Sequence, residues 1–99
     1  MVQIYSDITK DLYMAIKEDN LPRIQQILDN DFPISTPILN GMTAFMVVAA
    51  EGSVQAMIQI AQRETDFNRR DRSGRTALHL SCFRGDRKMT EAIFELPGI

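Results

Sequence analysis

The stretch that decides the fold is DRSGRTALHLSCFRG, residues 71–85, in which turn-forming residues lead into a threonine and an apolar run that ends at glycine. The same order of residue types occurs 33 positions earlier. There GMTAF at residues 41–45 falls on GRTAL at residues 74–78, and Gly52 falls on Gly85. A fixed period of about 20 to 50 residues is typical of proteins built from stacked supersecondary units. The sequence therefore predicts a repeat protein.

A third, divergent copy lies another 33 residues towards the N-terminus. There Asp19 stands where the later copies have glycine, and Lys10 where they have threonine. Three rows of small or apolar residues share the period: Leu12, Phe45 and Leu78; Ile16, Ala49 and Cys82; Ile27, Ile60 and Ile93. We expect the first and third rows to form rungs of one continuous core.

The apolar spacing within each unit is helical. Leu12, Ala15 and Ile16 follow the i, i+3, i+4 pattern, so each unit is predicted to contain two short helices. Pro22 suits the first turn of its helix. Thr43 and Thr76 precede apolar runs, and both are predicted to cap helix starts. Turn-forming residues fill the connections at residues 31–42 and 64–75.

Residues 71–85 resemble the ankyrin motif D-x-x-G-x-T-P-L-H-x-A-A-x-x-G. Ala77 replaces the proline of the motif, while Ser81 and Cys82 replace the small pair. The second copy departs further, with Met46 in place of the histidine and Ile38 in place of the aspartate. The resemblance covers about residues 7–96.

The ankyrin resemblance implies an all-α solenoid of helix-turn-helix units joined by extended turns or β-hairpin fingers. It also implies one domain, residues 1–99, with approximate repeats at 7–35, 38–68 and 71–99. In this family the first helices and the fingers line a concave surface that usually holds a partner.

Composition is that of an ordinary globular chain, with 44% hydrophobic and 24% charged residues. The single cysteine cannot form an internal disulfide, so we expect an intracellular protein, cytoplasmic or nuclear. The longest apolar run, residues 44–50, is far shorter than the roughly 20 residues of a membrane span. No secretory signal is expected, because no basic residue precedes Lys10 and no long apolar run follows it.

The sequence gives little support to a catalytic or metal-binding role. His79 and Cys82 lie three positions apart on one predicted helix, but one histidine and one cysteine cannot assemble a usual structural zinc site within one chain. We expect His79 to be hydrogen-bonded within or between turns and Cys82 to be a small core residue. Phosphate-binding glycine motifs are absent, so no catalytic, cofactor or metal site is predicted and the chain is not expected to be an enzyme.

Charge is distributed unevenly. Residues 69–88 contain seven basic residues against two acidic ones, a net charge of +5, in a chain whose total is −2. The basic residues are Arg69, Arg70, Arg72, Arg75, Arg84, Arg87 and Lys88. The positions that resemble the family's contact surface are Arg70, Arg72, Ser73, Arg75, Phe83 and Arg84, with Leu39, Asn40 and Met42 on the preceding finger.

Two functions remain open at this stage. The first is a non-catalytic protein-binding adaptor, or a small subunit of a larger assembly, whose partner has an acidic surface. The alternative is a nucleic-acid-contacting subunit that uses the Arg69 to Lys88 segment, which the acidic total and the pI of about 5.3 disfavour. An enzyme is a third possibility, to be recognised by turnover that depends on His79.

The two ends of the repeat stack are predicted to differ, because a terminal repeat needs a polar outer face. The first helix carries Asp7, Lys10, Asp11 and Lys17, which suit that position. The last helix carries Met89, Ile93 and Phe94, of which some must pack inward. We expect the remainder to be covered by another protein, a second copy or further repeats.

Overall fold

The structure, a computed structural model, describes the backbone of residues 2–64 and 66–99 and the side chains of residues 8–64 and 66–99. These residues form six α-helices, arranged as three helix pairs. The helices are α1 (Val2–Lys17), α2 (Leu21–Asp29), α3 (Ala44–Glu51), α4 (Val54–Ala61), α5 (Ala77–Arg84) and α6 (Arg87–Phe94). The prediction of an all-α repeat fold is confirmed, and α1 begins before the predicted start of the first repeat.

The helix starts show how the sequence sets each helix pair. Asn20, Ser53 and Asp86 each accept a backbone N–H from the first turn of α2, α4 and α6, respectively. Such caps satisfy amides that the helix itself leaves without acceptors. Pro22 lies in the first turn of α2, as predicted. Gly85 ends α5 in the left-handed conformation, with φ 82°, which a residue without Cβ adopts at little cost.

The first helices of the pairs stack side by side, with α3 between α1 and α5, and the second helices α2, α4 and α6 form the other layer. Both predicted rows contribute to one core. Ile27, Ile60, Ile93, Leu12 and Phe45 are all buried. Leu78 is only half-buried, because none of the described helices packs on the far side of α5. No helix within the described residues is both long and apolar enough to cross a membrane.

Cys82 corrects one prediction about the core. Its counterparts Ile16 and Ala49 are buried beneath the next repeat, whereas Cys82 is exposed. The residue type suits a packed interface, but no repeat within the described residues follows α6 to cover it. The exposure of Cys82 is therefore decided by what packs on it and not by its residue type.

The outer face of the first pair is polar, as predicted. Lys10, Asp11 and Lys17 are exposed, and Arg23 on α2 forms an ion pair with Asp11 at 3.0 Å. The side chain of Asp7 lies outside the described residues. This face suits the beginning of a stack, because its charges need no neighbouring helix.

Candidate functional site

Two fingertips lie between the helix pairs. Fingertip 1, residues 38–42, is a tight turn closed by an isolated β-bridge between Leu39 and Met42, whose N–H donates to the Leu39 carbonyl at 2.7 Å. Asn40 and Gly41 occupy its centre with φ 49° and 79°. Both values lie in the left-handed region that asparagine and glycine tolerate. The predicted β-hairpin finger is thus reduced, within the described residues, to a single bridge.

Fingertip 2, residues 71–75, is organised by one carboxylate. Asp71 Oδ1 accepts the backbone N–H groups of Ser73 and Arg75, each at 2.9 Å, and Oδ2 accepts Arg75 Nε at 2.9 Å. The Arg75 N–H is the main reason that the pKa of Asp71 lies below its ordinary value of 3.8, with Ser73 and the Arg75 guanidinium adding to it and burial opposing it. These bonds therefore stabilise the fold fully above about pH 4, and their contribution is lost as the pH falls through the lower folded pKa.

The two motif threonines behave differently. Thr76 accepts the His79 N–H at 3.4 Å, and His79 Nδ1 lies 3.1 Å from the Thr76 N–H and 2.8 Å from its hydroxyl. The predicted cap and the predicted hydrogen bonding of His79 are confirmed. Thr43 makes no such cap, and its buried hydroxyl has no hydrogen-bond partner among the described residues. The prediction for Thr43 is wrong: it stands at the N-cap of α3, but its hydroxyl accepts no N–H from the first turn, and Met46, at the position of His79, offers it no polar side chain.

Four of the six arginines in the basic segment, residues 69–88, have acidic partners within the chain. Arg69 Nε lies 3.3 Å from buried Glu64, and Arg87 forms an ion pair with Glu91 at 2.9 Å. Arg70, Arg72 and Lys88 are exposed and form no ion pair in the part of the chain that the structure describes. Arg70 and Arg72 are therefore the arginines of the segment that retain an uncompensated charge.

Two predicted contact residues also have structural roles within the chain. Arg75 closes fingertip 2 through its ion pair with Asp71. Arg84 donates to the carbonyl of Gly52 at 2.8 Å and lies 3.7 Å from Asp86, so it joins the last repeat to the end of α3. Both guanidinium groups already have oxygen partners, and neither is available as a free cation for a partner.

A polar cleft separates fingertip 1 from the residues that follow α4. We call it the finger cleft. Its lining residues are Ser35, Pro37, Gly41, Thr43, Met46, Asp66, Asn68, Arg69 and Arg70. Arg72 borders it, since its Cγ lies 2.7 Å from the place where a Cβ on Gly41 would be. Glycine at position 41 suits its backbone angle, and a Cβ there would also meet the Arg72 side chain.

An apolar groove lies on the other side of fingertip 1. Its lining residues are Thr9, Lys10, Tyr13, Met14, Ile38 and Leu39. Met14 is 43% exposed on α1, and Ile38 and Leu39 are half-buried against the core. The Tyr13 ring is held by a hydrogen bond from its hydroxyl to Glu51 at 3.0 Å, and Lys17 Nζ lies 5.7 Å from its centroid.

The remaining residues predicted to contact a partner differ in how far they are buried. Ser73 and Asn40 are exposed, whereas Met42 is half-buried and packed against the core. Phe83 is 86% exposed on α5, an unusual position for a large aromatic ring. Such rings are common anchors of protein interfaces.

The predicted end-cap residues also divide by burial. Met89 and Ile93 are fully buried, which removes them from the candidate contacts at the open end of the stack. Phe94 is 68% exposed there. Phe94 is therefore the one of the three that can reach another surface.

The arrangement offers little for catalysis. His79 Nδ1 is engaged by Thr76, so only its Nε2 is available to another group. Among the residues that the structure describes, no three His, Cys, Asp or Glu side chains gather as they would around a metal ion. The surface around the fingertips instead combines free guanidinium groups, an exposed ring and an apolar groove.

A family model described as "Ankyrin repeats (3 copies)" matches residues 12–99. The chain belongs to the ankyrin repeat family. Ankyrin repeats are generally protein–protein interaction modules and are typically non-enzymatic. A search of curated proteins gives no match.

The apolar groove of this ankyrin repeat protein was missed in the sequence, although a signal for it was present. Ile38 stands where the ankyrin motif has aspartate, and Leu39 follows it. Apolar residues at finger positions that are usually polar indicate a contact surface. Tyr13 and Met14 could not be added to it from sequence, because their approach to fingertip 1 depends on how α1 stacks on the next repeat.

Proposed function

We propose that this ankyrin repeat protein is a non-catalytic protein-binding module, acting as an adaptor or as a small subunit of a larger assembly inside the cell. It holds its partner on the fingertips and the first helices. The observation that carries this proposal is the pair of exposed, unpaired arginines, Arg70 and Arg72, beside the finger cleft. A partner with an acidic surface would supply the charges that the chain itself does not.

The nucleic-acid alternative rests on the +5 segment, which the structure weakens. Arg69, Arg75, Arg84 and Arg87 already have acidic or carbonyl partners. Two neighbouring free arginines are few for a phosphate backbone, where affinity depends on many neutralised charges. The described residues also lack a row of exposed rings on which bases could stack, since Phe83 stands without another exposed ring on the first helices.

The test compares two double charge reversals. Arg70→Glu/Arg72→Glu removes the free arginines, whereas Arg87→Glu/Lys88→Glu makes the same change in charge on α6. Immobilised wild-type chain and both variants are incubated with nuclease-treated extract of the source cells, and retained proteins are quantified by mass spectrometry. We expect the first variant to weaken binding more than tenfold, about 1.4 kcal/mol, and the control to retain the same proteins.

Two results would contradict the proposal. Equal retention by the two variants would show that Arg70 and Arg72 form only a solvated face. Binding that disappears on nuclease treatment and falls steeply with salt would favour nucleic acid as the partner. Circular dichroism of each variant must show unchanged helicity, so that a loss of binding is not a loss of folding.

A further inference from the structure

We infer that one extended segment of the partner occupies the apolar groove and the finger cleft together, with a large apolar side chain in the groove and acidic side chains beside Arg70 and Arg72. This inference rests on the proposed function and deepens it by naming the chemistry of the partner. It is carried by the position of fingertip 1, which forms one wall of both depressions.

Fingertip 1 joins the two depressions across a very short distance. Leu39 lines the apolar groove, and Gly41, two residues later in the same turn, lines the finger cleft. The turn is pinned on both sides, because the Ile38 N–H and the Met42 N–H donate across it at 2.8 and 2.7 Å. A ligand that crosses this turn therefore meets both surfaces without any movement of the fold.

The groove selects for an apolar side chain. Tyr13, Met14, Ile38 and Leu39 supply mostly carbon surface, and the Tyr13 hydroxyl is already bound to Glu51. Burying a Leu- or Phe-sized side chain of the partner would remove its surface and that of Met14 from water, which is favourable. Methionine suits such a surface because its flexible thioether adapts to different shapes.

The finger cleft selects for acidic side chains. Arg69 is neutralised by Glu64, which leaves Arg70 and Asp66 as the unpaired charges of its lining, and Arg72 at its border makes the balance positive. Asp66 Oδ1 accepts the Asn68 N–H, so this carboxylate is held within its own loop. Arg70 and Arg72 are thus the groups that a carboxylate of the partner would meet, and guanidinium groups bind carboxylates with two parallel hydrogen bonds.

The spacing in the partner follows from the width of the turn. A hairpin is about 5 Å wide, and the side chains on its two flanks extend the span to roughly 10–15 Å. An extended chain advances about 3.3 Å per residue. We therefore expect the apolar side chain and the acidic side chains to lie about three to five residues apart in one linear segment.

The experiment selects peptides without assuming a partner. A phage-displayed library of random 12-residue peptides is enriched on the intact 99-residue chain, and individual peptides are synthesised for affinity measurement. Affinities are compared for wild type, for Arg70→Glu/Arg72→Glu in the cleft and for Met14→Glu in the groove. Two matched controls, Arg87→Glu/Lys88→Glu and Ile58→Glu, make the same changes elsewhere; Ile58 is 50% exposed on α4.

We expect each selected peptide to carry a large apolar residue and at least one Asp or Glu at the predicted spacing. Each peptide should lose at least tenfold in affinity with the cleft variant and with the groove variant, and should be unaffected by the controls. Combining Arg70→Glu/Arg72→Glu with Met14→Glu should reduce affinity about 100-fold if both contacts are made at once and act independently.

Four results would overturn the inference. Two peptide populations, each sensitive to only one variant, would show that the groove and the cleft bind separate ligands, while the proposed protein-binding function would stand. Selected peptides without acidic residues would likewise remove only the inference. If no peptide binds above background, the inference fails alone, because a folded partner would still be retained from extract. If a 20-nucleotide single strand binds through Arg70 and Arg72 instead, the proposed function fails with the inference.

Discussion

The second and third repeats carry the same motif but are held together in different ways. In the second repeat, every residue of α3 from Ala44 to Ala49 is buried between α1 and α5, and Thr43 leaves its hydroxyl without a partner. In the third repeat, α5 has a first helix, α3, on one side only within the described residues, whereas α3 lies between two. Cys82 and Phe83 are exposed, and the order of the repeat comes from the hydrogen bonds of Asp71 and Thr76.

This difference shows that place in the stack determines the role of a motif residue. A covered repeat obtains its stability from apolar burial, so it tolerates the loss of the motif aspartate and histidine to Ile38 and Met46. An uncovered repeat lacks that burial on one side. The third repeat is ordered locally, by the hydrogen bonds of Asp71 and Thr76.

The largest expected effect on stability comes from one core position of the repeat, which is buried in the second repeat and half-buried in the third. Phe45→Ala should lower the free energy of unfolding by about 3–5 kcal/mol, because Phe45 is 2% exposed and its removal leaves a cavity. Leu78→Ala, 33 residues later and half-buried, should cost only about 1–2 kcal/mol. Urea unfolding followed by circular dichroism measures both.

Leu12→Ala provides the control of matched chemistry. Leu12 occupies the same rung in the first repeat and is fully buried. Leu12→Ala should lower the free energy of unfolding by about 2–5 kcal/mol, more than Leu78→Ala. Equal losses for Leu12→Ala and Leu78→Ala would show that neighbours do not explain the difference between the repeats. If Phe45→Ala shows no cooperative unfolding transition, its loss of stability is larger than that of Leu78→Ala.

The next effect concerns the open end of the third repeat. Phe94 aligns with Leu28 and Ala61, both of which contact the core, yet it is 68% exposed. We propose that a second copy covers it. In a symmetric contact between two copies, the exposed Phe94 ring of each chain would cover the other.

Sedimentation of the purified chain over a range of concentrations tests this proposal. The wild type should self-associate, and Phe94→Glu should weaken that association at least tenfold, about 1.4 kcal/mol, while raising solubility. Ile58→Glu is the control, because it places the same charge on an exposed apolar residue of α4. A wild-type chain that stays monomeric at all concentrations would contradict the proposal.

Sequence predicted the fold because its signal repeats. The apolar rows and the turns recur with the 33-residue period, and Pro22 follows the general preference of proline for the first turn of a helix. Their positions could therefore be predicted without knowledge of tertiary contacts. Cys82 was misplaced because the period predicts burial by a following repeat, and no described helix packs on this residue. The partners of Arg69, Arg75 and Arg84 could not be predicted either. Charges near one another in sequence do not show which oxygen each guanidinium reaches.

The smallest expected effect isolates the threonine hydroxyl itself. Threonine and valine have nearly the same shape, so Thr→Val at each repeat removes the hydroxyl with little change in packing volume. Thr76→Val removes the acceptor for the His79 N–H and the contact with Nδ1, and should cost about 1 kcal/mol. Thr43→Val removes a buried hydroxyl without a partner, and should be neutral within about 0.5 kcal/mol or stabilising.

A third variant sharpens the result by restoring the motif in the second repeat. Met46→His places an imidazole where the third repeat has His79, so the Thr43 hydroxyl gains a possible partner, although the buried position of Met46 opposes a polar ring. If the hydrogen bond forms, Thr43→Val should become costly in the Met46→His background while staying neutral in the wild type. This double-mutant cycle, measured by urea unfolding, gives the coupling directly. Equal costs for Thr43→Val and Thr76→Val in the wild type would show that Thr43 already caps α3, and the distinction between the two repeats at this position would be lost.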